Sequence, residues 1–369
     1  MANICFFSGD ISRSGGTERV GSEIANYLDR EKNQVYILSL YGNGAPFFEV
    51  NSTIKSEVLF HRKLPFKLII PLIVMKLRKF ICDNNIDIII DIDSVLSLYS
   101  LPSVIFSKTR HITWEHFNYN TTFGMLSRTL ARWLAASFSD TIVTLTKQDK
   151  DYWVSSRFCR TNVEQIYNPS PFDRSFSNPK DNENRNVLAV GRLTYQKGFD
   201  ILLEIWSTVE PLNPTWTLTI VGDGEDREHL EKLRKDLKLR NVVFEGFADN
   251  VSKYYEKSDI YVMTSRFEGF PMVLLEAASN GLPVVSFDCE TGPREMIVNG
   301  KTGIVVENKD TNKFALELMT LMKDRSHRYR MSCNSLNEAR EYSIERIGPQ
   351  WSRIINNLAS NNAECKQKY

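Results

Sequence analysis

IYVMTSRFEGFPMVLLEAASNGLPVVSF, residues 260–287, carries the organisation of the whole chain. Two short apolar runs, Ile260–Met263 and Pro283–Phe287, flank a segment in which Pro271 suits the first turn of a helix and Asn280–Gly281 its end. Neither run alternates apolar with polar residues, so both read as strands buried on two faces, the habit of a parallel sheet. Strand, helix and parallel strand make one unit of an open α/β sheet. In such sheets ligands bind beyond the carboxyl ends of the strands, and there lie Glu268, Gly269 and Phe270. The backbone amides around Gly269–Met272 then form a helix N-terminus, a natural anion site. Glu276 falls within the helix, among Leu274, Leu275, Ala277 and Ala278.

The same grammar extends outward in both directions. Upstream in this half, Val187–Val190, Thr217–Val221 and Val242–Glu245 read as strands, with Gly303–Val306 downstream. Gly198–Val209, Glu225–Leu237 and Pro271–Ser279 read as helices between them. The first half repeats the scheme with strands Ile4–Ser8, Val35–Leu40, Ile86–Ile90, His111–Trp114 and Thr141–Leu145, and helices Thr17–Leu28 and Leu126–Phe138. The segment NPSPFDRSFSNPKDNENR, rich in Pro, Ser, Asn and charge, has linker composition. The division is therefore a first doubly wound domain over 1–168, a linker over 169–184, a second such domain over 185–342, and a helix (Ile344–Leu358) with a polar tail over 343–369. At 369 residues two cores are the natural expectation.

The turns after these strands hold the candidate chemistry. GRLTYQKG, 191–198, places Arg192 and Lys197 between Gly191 and Gly198, and two cations at a sheet mouth suit a diphosphate. GDGED, 222–226, reads first as a well-made strand-to-helix turn. A carboxylate beside an anion site repels phosphate unless it serves something else. Sugar hydroxyls are such a use, since one carboxylate accepts two hydrogen bonds from a vicinal diol. Glu268 and Glu276 then serve two sugars; the bland alternative is a loop carboxylate and an exposed helix position. In the first half, Gly15 and Gly16 precede a helix, and TWEHFN puts His116 at a strand end. Asp91-Ile92-Asp93 forms a DxD away from the other motifs, and reads as a decoy rather than a metal site.

Composition excludes several classes. Net charge is +1, with 42% hydrophobic and 25% charged residues, so nothing favours nucleic acid as a partner. The six cysteines form no CxxC pair and no zinc spacing, and read as reduced thiols. The start, MANICFFSGDIS, lacks the pattern of a signal peptide, and the longest apolar run, Leu68–Met75, is far short of a membrane span. A cytoplasmic location is the expectation.

Taken together, GRLTYQKG, the GDGE turn, Glu268 and Glu276 with seven residues between them, and GLPVV resemble the retaining GT-B glycosyltransferases of family 4, which include bacterial O-antigen and capsular polysaccharide enzymes. GGTERV and WEHF extend the likeness into the first half. The resemblance implies a GT-B fold, two Rossmann-like domains facing a central cleft, and a hexosyltransferase. It implies that Arg192 and Lys197 neutralise the donor diphosphate, that Glu268 holds the transferred sugar and Glu276 the ribose, and that amides around Gly269 and Phe270 help bind the sugar or the phosphate. Phe247 would lie near the base, the loop at Gly15 and Gly16 would face the donor, and His116 would touch the transferred sugar. The last helix would cross back to the first domain. The implied donor is a UDP-sugar, with GDP-sugars open, and no metal or other cofactor is expected. The implied acceptor is a glycan carried on a lipid such as undecaprenyl diphosphate. A sugar-nucleotide epimerase on this fold and a non-catalytic sugar- or nucleotide-binding module stand as alternatives.

RKLPFKLIIPLIVMKLRKF, 62–80, mixes basic residues with a large apolar side. It reads either as a peripheral contact with an anionic bilayer at the inner face of the membrane or as an amphipathic helix packed on the first sheet, with Pro71 breaking the pattern. Arg128, Arg132 and Trp133 would extend the bilayer surface.

Overall fold

The computed structural model describes residues 1–62, 69–170, 178, 179, 181 and 183–366, the side chains of 69 and 361–366 excepted. Most of the expected linker, the start of the basic stretch at 62–80 and the extreme tail lie outside the described residues. The chain forms two compact units, Met1–Pro169 with Ile344–Tyr369, and Ser170–Ser343.

Unit 1 contains β1 (Asn3–Ser8), α1 (Gly16–Arg30), β2 (Gln34–Tyr41), β3 (Lys55–Phe60), α2 (Ile69–Asp83), β4 (Ile88–Ile92), α3 (Ser97–Val104), β5 (Arg110–Trp114), α4 (Leu126–Phe138), β6 (Thr141–Thr144), α5 (Lys147–Ser155) and β7 (Asn162–Gln165). Its strands form one parallel sheet in the order β3-β2-β1-β4-β5-β6-β7. The order reverses between β1 and β4. With right-handed crossovers, that reversal puts α1 on one face and α2 to α5 on the other. Central strands are buried throughout, whereas edge strand β3 alternates and edge strand β7 is largely polar. Both edges lack an apolar run, so the sequence pattern gives no strand at either.

Two expectations for this unit need correction. β4 starts and ends later than the apolar run Ile86–Ile90, because Asp91 lies inside the sheet. Its Oδ2 accepts from Ser97 at 2.9 Å and Ser100, and pairs with His111 Nε2 at 2.9 Å, so a fully buried carboxyl finds its partners on one oxygen. Pro71 does not break the helix over the basic stretch. It falls in the first turn of α2, where no intrahelical N–H is needed, and Ile73, Leu77, Phe80 and Ile81 carry the helix into the core.

Unit 2 contains β8 (Asn186–Val190), α6 (Phe199–Val209), β9 (Thr217–Val221), α7 (Arg227–Asp236), β10 (Val242–Gly246), α8 (Ser252–Glu256), β11 (Ile260–Met263), α9 (Met272–Ser279), β12 (Val284–Phe287), α10 (Pro293–Met296), β13 (Gly303–Val306), α11 (Thr311–Lys323) and α12 (Arg325–Ala339). Its six strands are parallel, in the order β10-β9-β8-β11-β12-β13. Leu202, Leu203, Trp206, Leu218, Ile220, Phe287 and Phe314 anchor its core. The last helix, α13 (Ile344–Lys366), belongs to unit 1 and packs on α1. Gly348 allows Tyr27 to lie directly on its backbone, and Trp351 meets Trp114 edge to face at 4.6 Å.

Candidate active site

Four turns meet at the carboxyl edge of the unit 2 sheet, and close backbone packing sets their shape. After β8 and β9 the two turns are laced by Leu193 N–H to Asp223 O and Asp226 N–H to Leu193 O, each at 3.0 Å. Gly222 has φ 141°, and a Cβ there would collide with the Gly191 carbonyl. The GDG turn is glycine-rich because two backbones touch, and Asp223 faces Arg227 at 3.7 Å.

The turn after β11 docks on the first. Thr264 Oγ1 donates to Gly198 O at 2.9 Å, and the Arg266 amide donates to Gln196 O at 2.8 Å. This registry brings Lys197 Nζ to 2.7 Å from Glu268 Oε1, with the two side chains 20% and 6% exposed. Gln196 Nε2 reaches Glu268 Oε2 at 3.4 Å. Lys197 thereby offsets the charge of the nearly buried Glu268 carboxylate. Arg192 is not part of this group: its side chain is 74% exposed and pairs with Glu225 at 3.2 Å.

The fourth turn follows β12. Thr291, at φ 58°, donates its hydroxyl to Glu268 O at 2.6 Å, fixing the backbone just before α9. Cys289 is buried here, and burial together with the Glu268 charge pushes its thiol pKa far up, so it stays protonated. Glu276, half-buried on α9, accepts from Tyr255 Oη at 2.7 Å, and Tyr255 stacks on Tyr261. Phe270 is buried, Gly269 half-buried and Phe247 exposed at the end of β10.

Sequence reasoning missed Gln196, Thr291 and Tyr255, and also the clamp that holds the loop. Arg266 makes a two-pronged pair with Asp200 at 2.9 and 2.6 Å and lies 4.1 Å over the Tyr195 ring. Burial raises Asp200, but the Arg266 hydrogen bonds and charge outweigh it and hold the carboxyl below its ordinary range. Both partners were visible as charges beside motifs; their pairing across 66 positions was not.

In unit 1, Gly15 caps α1, and the Glu18 carboxylate folds back against it. Gly16 is exposed. His116 is 7% exposed, 4.4 Å from the Trp114 ring, and among the described residues its Nε2 has no hydrogen-bond partner. Burial lowers its pKa to about 4, so the ring is neutral. An orphaned buried nitrogen at a sheet edge calls for a partner. Neighbouring Glu115 is structural: fully buried, it accepts from Arg132 Nε at 2.9 Å, Ser94 Oγ at 2.7 Å and the Phe117 amide at 3.0 Å. Asp93, at φ 110°, is gripped by Arg128 at 3.1 and 2.7 Å. Arg128 and Arg132 therefore point inward, against the expectation that they face a bilayer, because Asp93 and Glu115 offer buried counter-charges.

Residues 172–338 match the family described as glycosyl transferases group 1, and 14–174 match glycosyltransferase family 4. An uncharacterized glycosyltransferase of Haemophilus influenzae is 35% identical over 96% of this chain and 100% of its own length. The amylovoran biosynthesis glycosyltransferase AmsD of Erwinia amylovora is 33% identical over 94% and 97%. An α-1,4-N-acetyl-D-galactosaminyltransferase of Campylobacter jejuni, named for an undecaprenol-diphosphate-linked substrate, is 26% identical over 96% and 98%. Among solved structures, Anabaena HepE in complex with UDP-glucose superposes with a TM-score of 0.78 at 19% identity, covering 97% of this chain and 100% of that one.

Proposed function

The chain belongs to the GT-B glycosyltransferases of family 4, and from that premise we propose that it moves a hexosyl or N-acetylhexosaminyl group from a UDP-sugar to a lipid-linked glycan, with retention, in bacterial surface polysaccharide assembly such as that of O-antigen. The observation that carries the donor reading is the Lys197–Glu268 pair at 2.7 Å, at the carboxyl edge of the unit 2 sheet and just before α9. HepE, which holds UDP-glucose, supports the choice of base, and the Campylobacter relative supports a lipid-linked acceptor.

In this reading Lys197 turns toward the diphosphate and Glu268 accepts hydroxyls of the transferred sugar. As the glycosidic bond breaks, negative charge grows on the leaving phosphate. Lys197 and the amides at the start of α9 stabilise it, and Arg192 swings in from solvent. The leaving phosphate takes the acceptor's proton on the same face, so no protein nucleophile is required. Glu276, oriented by Tyr255, holds the ribose. His116 offers its unpartnered Nε2 to a sugar hydroxyl. Charge stabilisation by the chain's own cations makes a metal unnecessary.

The test is a panel of UDP- and GDP-sugars, read by thermal shift and by release of nucleoside diphosphate, with and without EDTA. One UDP-sugar should stabilise the protein and turn over in EDTA, with the product's anomeric configuration retained by NMR. Stabilisation by GDP-sugars alone, loss of turnover in EDTA, or an epimerised nucleotide without transfer would each refute a part of this reading.

A further inference from the structure

Past the end of β5 the chain keeps its extended alternation, because the Glu115 amide still donates to Val143 O of β6 at 2.9 Å. Glu115 turns to α4 and meets Arg132 there. Trp114 and His116 fall together on the other side, with ring centroids 4.4 Å apart. Trp114 has almost no exposed surface, and against it lies Trp351 of α13, edge to face at 4.6 Å. Trp351 is itself fully buried, with Ile347, Ile354 and Ile355 spaced along the same face of the helix. The last helix thus reaches the strand end at which His116 stands.

Polar contacts do not fix this stack. Nε1 of Trp114, Nε1 of Trp351 and Nε2 of His116 are all buried, and among the described residues none has a hydrogen-bond partner. Buried indole N–H groups usually find an acceptor, so here ring packing is left to set the rotamers. Glu115, between the two stacked residues in the chain, is held instead by hydrogen bonds from Arg132, Ser94 and the Phe117 amide. A Trp114 indole free to change rotamer would release the imidazole that rests on it. The Trp351 ring packed against that indole is a barrier to such a change.

We propose that Trp351 is a positioning residue for transfer: by backing the Trp114 indole, it holds His116 with Nε2 turned to the donated sugar. The inference rests on the role given to His116 in the proposed function, but one of its readouts needs no substrate. The full chain is compared with Trp351→Met, which fills the space without a rigid ring, and with Ile355→Ala, which thins the core under the same helix. In the ligand-free protein, NMR should find the His116 ring protons displaced by the ring current of the Trp114 indole. Trp351→Met should return them toward the shifts of a free histidine, and Ile355→Ala should leave them in place. In transfer, Trp351→Met should lower kcat about ten- to a hundredfold with donor KM within about twofold, because the groups assigned to the nucleotide lie in unit 2. On a His116→Gln background the same replacement should cost nothing further, the mark of a residue that acts through another. If the methionine variant does not fold, Trp351→Phe takes its place, with a loss of kcat of about threefold alone and none on His116→Gln. Unmoved His116 shifts in the Trp351 variant, equal shifts in Ile355→Ala, or losses that multiply on His116→Gln would each overturn the proposal. A wild type without turnover whose His116 shifts still respond to Trp351 refutes the transferase reading and supports the stack. Normal turnover in wild type with kcat unchanged in the Trp351 variant removes the positioning role alone.

Discussion

Both sheets place charges in the turns at their carboxyl edges, yet the two units keep those charges in different states. In unit 2, Lys197 meets Glu268 with its ammonium reaching solvent, and Arg192 meets Glu225 almost fully in water. In unit 1, Glu115 and Arg132 are sealed, and His116 is held neutral beside them in the chain. An ion pair at the solvent's edge trades partners cheaply, since water or a ligand takes over either half. A sealed pair does not, because opening it strands a charge in low dielectric. The Lys197–Glu268 pair is thus the cheaper of the two to open, and the Glu115–Arg132 pair the costlier.

The strongest way to break this contrast is Arg132→Met, which leaves Glu115 buried and unpaired and should lower unfolding free energy by about 3–5 kcal/mol in denaturant titration. A loss below about 1 kcal/mol would mean the pair is not sealed. Glu268→Gln, nearly isosteric, should leave stability intact and remove about 3–4 kcal/mol of transition-state stabilisation, seen as a fall in kcat/KM of a few hundredfold. Lys197→Ala should cost about 2–3 kcal/mol in the same assay, shared between donor affinity and rate. Near-normal turnover in either variant would take that residue out of the site.

A smaller effect sharpens the contrast through pH. Burial first, and then the Glu115 charge, raise Asp149 from 3.8 to about 8, so the folded state holds a proton that the unfolded chain releases above 3.8. Stability contributed by this group is therefore lost as pH rises through that window and levels off above about 8. Asp149→Asn keeps the acceptor for the Tyr119 amide and should remove that slope, up to about 1.4 kcal/mol per pH unit. Parallel stability curves for both proteins across that window, from 3.8 to about 8, would show that Asp149 is ionised in the fold. Smallest of all, Arg192→Ala should change stability by less than about 1 kcal/mol, as an exposed pair does, while weakening donor binding measurably.

How much of this was legible in sequence follows the same division. Central strands of both sheets announce themselves as apolar runs, because they are buried on two faces; β3 and β7 do not, because edge strands have one neighbour and tolerate Lys55, Glu57 or Asn162. Glu268 and Lys197 stand out because each falls just past a strand. Their meeting, 71 positions apart, needs the folded registry of two turns, as does Tyr255 on Glu276. Arg128 and Arg132 misled for the converse reason. They stand close to Trp133 in the sequence but not on its side of α4, and only the acids at Asp93 and Glu115 reveal that their side turns inward.

The central claim, that the Lys197–Glu268 edge is the donor site, is tested most directly by calorimetric titration of the nucleoside diphosphate and its intact sugar donor into wild type, Lys197→Ala and Glu268→Gln. Lys197→Ala should lose affinity for both ligands. Glu268→Gln should bind the nucleoside diphosphate as wild type does and lose the extra affinity that the sugar confers. If both variants bind both ligands with wild-type affinity, the donor lies elsewhere on the chain.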